Sequence, residues 1–150
     1  MITTTEKTQK IVKELIIINN DRYEGYKTAA EEAKDQDLIP LFSRFSAQSK
    51  QFASELTRFV TVEEAPAEGE TKNSGKLYRV WMDIKAAITA NDRKSILSSC
   101  EFGEDVALKT YKDALEDAGE LTDDVRMVVE RHKTELQEAH NYIKSLRDNA

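Results

Sequence analysis

Apolar residues recur at intervals of three and four along almost the whole chain, the period of an amphipathic helix. The first such stretch runs from about Thr5 to Lys34 and carries Ile11, Val12, Leu15, Ile16, Tyr23, Tyr26, Ala29, Ala30 and Ala33 on its stripe. Threonines ahead of it supply N-cap candidates, and Glu6 favours the positive end of the helix dipole. Asp35-Gln36-Asp37 breaks the pattern, with Asp37 as the next cap candidate. A second helix is expected from about Leu38 to Val62, with Leu38, Leu41, Phe45, Phe52, Leu56 and Phe59 on its stripe. Pro40 falls in its first turn, where a missing N–H costs nothing. Glu63 to Gly75 mixes acidic residues with proline and glycine and reads as an exposed loop. A short helix follows over Lys76–Thr89, with Leu77, Val80, Trp81, Ile84 and Ile88 on one side. Asn91-Asp92 breaks and recaps the chain. The next helix spans about Asp92 to Ala118 through Leu97, Cys100, Leu108, Tyr111 and Leu115, and Gly119 is its C-cap. The last opens at Thr122-Asp123-Asp124 and reaches about Arg147, with Val125, Val128, Val129, Leu136, Ala139, Ile143 and Leu146 inward.

Connection lengths predict how the four long helices are joined. About three residues link the first to the second and the third to the fourth, so each pair forms an antiparallel hairpin. The middle connection has about thirty residues and contains the short helix. The second helix is roughly 35–40 Å long at about 1.5 Å per residue, and a connection of that length can return along it. The second and third long helices are then parallel, which is the ferritin-like four-helix bundle arrangement in an all-α, single-domain chain.

Composition narrows the function. Hydrophobic residues make up 39% and charged residues 33% of the 150, with five glycines and two prolines, which fits a helical globular chain and no membrane span. A net charge of −6 argues against nucleic acid and anionic membranes as partners. Cys100 is the only cysteine, which excludes an internal disulfide and a cysteine zinc site and suits a small buried hydrophobe. The polar first residues lack a secretory pattern, so a reducing cytoplasm of bacterial type is the expected compartment. There is no phosphate-binding glycine loop, nucleophile elbow or HExxH.

Three segments carry a likeness: Asn19-Asn20-Asp21-Arg22-Tyr23-Glu24-Gly25-Tyr26, Val80-Trp81-Met82-Asp83-Ile84-Lys85, and Cys100-Glu101-Phe102-Gly103-Glu104-Asp105, with Asp92-Arg93 just ahead of the last. Through them nearly the whole chain resembles a bacterial ferritin-like four-helix-bundle family that is itself a domain of unknown function. The resemblance implies a ferritin-like fold and a bacterial source, and it implies no catalytic residue.

Di-iron proteins of that fold place one Glu on each of two helices and a Glu-x-x-His on each of the others, all inward. Helical phase at 3.6 residues per turn tests each position. On the first helix Glu24 points out, while Arg22 and Tyr26 point in. On the second, Gln48 points in and no His follows. On the third long helix Glu104 is central and Glu101 on the flank. On the last, His132 is central, Glu135 and His140 are on opposite flanks, and Glu138 turns away. Equal heights place Arg22, Gln48 and Glu104 in one buried polar layer, with Leu136 opposite Glu104. The expected function is therefore a non-catalytic scaffold or interaction protein with a metal-free core and no cofactor. The alternative is a di-iron or di-manganese protein, an oxidoreductase or a metal store, that holds its ions with Glu101, Glu104, His132, Glu135 and His140. Tyr23, Tyr26 and Tyr111 are expected as interior packing with the hydroxyl bonded. Trp81 is expected to anchor the short helix. Ile17 falls outward, and an exposed isoleucine points to a homodimer through the first helix.

Overall fold

The computed structural model describes residues 4–61, 76–116 and 121–150. They form five α-helices: α1 Thr4–Glu32, α2 Leu38–Thr57, α3 Lys76–Thr89, α4 Arg93–Glu116 and α5 Asp123–Asp148. No strand occurs among the described residues, so the chain is all-α. The acidic loop and the Gly119 cap lie outside them. No described helix is long and apolar enough to cross a membrane.

α2 stops at Thr57, short of the expected Val62. Its final turn tightens, with Phe59 N–H donating to the Leu56 carbonyl at 3.0 Å and Val60 N–H to that of Thr57 at 3.3 Å. The β-branched run Val60-Thr61-Val62 gives little support for a further turn. Asp37 occupies the N-cap position of α2 but makes no capping bond with its side chain. Its carboxylate instead receives both terminal nitrogens of Arg93, at 2.9 and 2.7 Å, while Asp35 accepts a further bond at 3.0 Å. This fork ties the α1–α2 turn to the start of α4. Asp92 does cap α4, accepting the Ser95 N–H at 3.2 Å, just after Asn91 takes the left-handed backbone (φ 54°) that turns α3 into α4.

Side-chain pairs give the directions. Tyr23 meets Ser46 and Gln9 meets Thr61, so α1 and α2 are antiparallel. Tyr111 meets His132 and Glu101 meets Arg147, so α4 and α5 are antiparallel too. α1 also lies beside α4, and α2 beside α5. Apolar side chains gather into two clusters. One holds Tyr26, Phe42, Phe45, Leu97, Cys100 and Ile143. The other holds Val12, Leu15, Phe52, Leu56, Leu108, Val129 and Leu136.

α3 closes the first cluster with Leu77, Val80, Ile84 and Ile88. Two mid-helix glycines make room for it. A Cβ at Gly25 would overlap Cδ2 and Cε2 of Trp81, and one at Gly103 would lie 3.0 Å from Cγ1 of Val80. Each glycine weakens its own helix by roughly 1 kcal/mol relative to alanine. That loss is offset by letting α3 approach the α1 and α4 backbones.

Candidate functional site: a buried polar layer

Arg22 projects from α1 between the two apolar clusters and is 2% exposed. A buried guanidinium is tolerated only when its N–H groups are bonded and its charge is opposed. Both conditions hold. Nη2 donates to Glu104 Oε1 at 2.9 Å, and Nε lies 3.1 and 3.2 Å from the two carboxylate oxygens. Nη1 donates to Ser49 Oγ at 2.8 Å and to the Phe45 carbonyl at 3.3 Å. The Tyr26 hydroxyl adds a 2.6 Å bond to Glu104 Oε1. The guanidinium also lies near the rings of Tyr26 and Phe45, at 5.2 and 5.3 Å.

The bonds continue in one direction. Ser49 donates to Asn19 Oδ1 at 3.0 Å, and Asn19 Nδ2 donates to the Tyr111 hydroxyl at 2.8 Å. The hydroxyl proton of Tyr111 is then directed to His132 Nδ1, 2.9 Å away. With Nδ1 accepting, the proton of neutral His132 resides on Nε2 and is donated to Glu55 at 3.1 Å. Arg131 pairs with the other oxygen of Glu55 near the surface. A chain of six side chains thus runs from a cation to an anion, each donating to the next, and crosses all four long helices.

Burial shifts several of these groups away from their ordinary protonation ranges. Burial, then the Glu104 charge, holds the Tyr26 hydroxyl well above its ordinary range. Burial does the same for Tyr111 and for the Cys100 thiol. Burial pushes His132 down to about 4, against the pull of Glu55. At neutral pH His132 is uncharged, wholly buried and bonded through both nitrogens.

Residues 7–117 match the family described as "Domain of unknown function (DUF2383)". The chain belongs to that family. The match takes in both Arg22 and Glu104 and ends before α5. No curated protein matches the DUF2383 chain.

Several sequence expectations for the DUF2383 chain need correction. Of Arg22, Gln48 and Glu104, the structure brings the first and last together and leaves Gln48 aside. Gln48 is half-buried, and its Oε1 has no hydrogen-bond partner. Ser49, one residue on, provides the α2 side-chain oxygen, beside the Phe45 carbonyl of the same helix. Leu136 is not opposite Glu104 but joins Ala107, Leu108 and Tyr111 in the second cluster. His140 of α5 instead meets Asp105 at 2.8 Å, so the α4–α5 register differs by about a turn. Ile17 is buried rather than outward, at 6% exposure, and lines the crevice between α1 and α4 with Thr110 and Ala114. α1 has neighbours on both flanks, which widens its buried arc and removes the ground for self-association through Ile17.

The five alternative metal ligands are not assembled. Glu104 is held by Arg22, His132 lies between Tyr111 and Glu55, and Glu101 pairs with Arg147. His140 lies 3.7 Å from Glu101, and Glu135 is half-buried elsewhere on α5. Among the described residues no three His, Cys, Asp or Glu side chains are grouped to hold a metal. A di-iron centre does not fit this donor set, because the Arg22 guanidinium occupies the Glu104 carboxylate and the other four side chains are held apart from it. Tyr26 is inward with its hydroxyl bonded, as expected, whereas Ser49 and Asn19 are bonding partners that the sequence pattern does not single out. Their inward phase is readable from the sequence, but their partners are on other helices.

Proposed function

We propose that the chain is a ferritin-like four-helix bundle formed by α1, α2, α4 and α5, with an ion pair where metal-binding relatives of that fold carry carboxylates for ions. We infer a non-catalytic scaffold or interaction role, without a bound metal or cofactor, in a bacterial cytoplasm. The observation that carries this reading is the buried Arg22–Glu104 pair. A fixed positive charge repels a metal cation and uses up the carboxylate that would bind one. The topology draws support from two antiparallel pairs, the α1–α4 and α2–α5 contacts, and α3 within the long connection. The non-catalytic role draws support from His132, Tyr111 and Cys100, all of which are enclosed away from solvent. Metal analysis of protein from cells grown with added iron and manganese is the test. The expected result is far less than one ion per chain, and near-stoichiometric metal overturns the reading.

A further inference from the structure

α1 and α3 run parallel with a groove of about 420 Å³ between them, within the range of small-molecule sites. Gly25 against Trp81 and Glu32 near Lys85 give the register. The groove has two unlike walls. α1 contributes carboxylates, Asp21, Glu24 and Glu32, above a floor of small residues. α3 contributes Tyr78, Trp81 and Met82, of which Tyr78 and Met82 are 44% and 49% exposed. Among the described lining residues Lys85 is the only basic side chain, 3.9 Å from Glu32, so their sum is net negative. Carboxylates on one helix, with aromatic rings and a thioether on the other beside small residues, suit an ammonium group on an aliphatic chain. The carboxylates oppose its charge, the aromatic faces attract it, and the methylenes bury against the floor.

We propose that this α1–α3 groove binds a linear aliphatic polyamine, with one ammonium between Glu24 and the Tyr78–Trp81 rings and the chain directed along α1 toward Glu32. Glu24 and Glu32 are eight residues apart, about 12 Å along the helix axis, a span that a polyamine bridges and a compact amine does not. The polyamine site is separate from the buried layer and does not depend on its being metal-free.

Trp81 is the only tryptophan, so its emission reports on the groove directly. Titration with spermidine should give a saturable emission change. Glu24→Gln should weaken it about tenfold, the order expected for losing one charge-assisted contact, and Tyr78→Ala should weaken it severalfold. Glu24 and Tyr78 are both exposed, and unchanged thermal melting verifies that the variants fold. Magnesium at equal charge concentration should leave the emission unchanged. The proposal is overturned by no saturable response, by an equal response to magnesium, or by an undiminished response in Glu24→Gln.

Discussion

Arg22 and Glu104 meet 2.9 Å apart with 2% and 1% of their side chains exposed. Their contact joins α1 to α4 between the two apolar clusters. Burying such a pair is weak evidence for stability, since well-packed apolar residues often do as well. Losing one partner is different, because the other is left charged in a medium that cannot solvate it.

Arg22→Met alone should therefore destabilise the fold by about 3–5 kcal/mol. Glu104 would keep only the Tyr26 hydroxyl, and Ser49 would lose its donor. Arg22→Met combined with Glu104→Leu should recover more than half of the loss. Urea unfolding of the two variants measures both numbers, and a single variant as stable as wild type would show that the pair is not an isolated buried charge.

Gly25→Ala should disturb α3 more than Gly103→Ala. The new methyl at Gly25 falls on the indole of Trp81, whereas that at Gly103 meets a side-chain methyl of Val80 at 3.0 Å. Over-packing costs about 1–3 kcal/mol, more than the roughly 1 kcal/mol helix-propensity gain returns at Gly25. A red shift of Trp81 emission in Gly25→Ala, with little shift in Gly103→Ala, is the expected ordering.

Stability should fall on acidification. His132 has a pKa near 4 in the fold against an ordinary 6.5. Between those values the unfolded chain binds the proton and the folded chain does not, so stability drops as pH falls from about 6.5 toward 4. The full difference is worth about 3 kcal/mol. Protonation at Nδ1 would also set two donors against each other at Tyr111. Glu55 adds a further loss below its ordinary range: burial raises its pKa, but bonds from Arg131 and His132 outweigh that and lower it. Urea midpoints at pH 7 and pH 4.5 test this, and a flat profile in that window contradicts it.

Arg93→Ala should cost only about 0.5–1 kcal/mol despite its three short bonds, since the fork with Asp35 and Asp37 is solvent-screened. The loss should shrink further in high salt. A loss above about 2 kcal/mol would mean that the fork holds the α1–α2 turn in place.

The periodicity of the chain determined the helices, their apolar stripes and the inward phase of Arg22, Tyr26, Glu104 and His132. These are local properties, because the 3.6-residue period converts sequence spacing into a face. Only the tertiary structure decided which inward residues meet. Ser49 rather than Gln48 reaches Arg22, His140 meets Asp105 next to Glu104, Glu55 reaches His132, and Ile17 is enclosed. Each of these turns on the rotation or sliding of one helix against another by a turn or less. Those offsets come from close contacts between distant segments, such as Trp81 on Gly25, which no period along a single helix encodes.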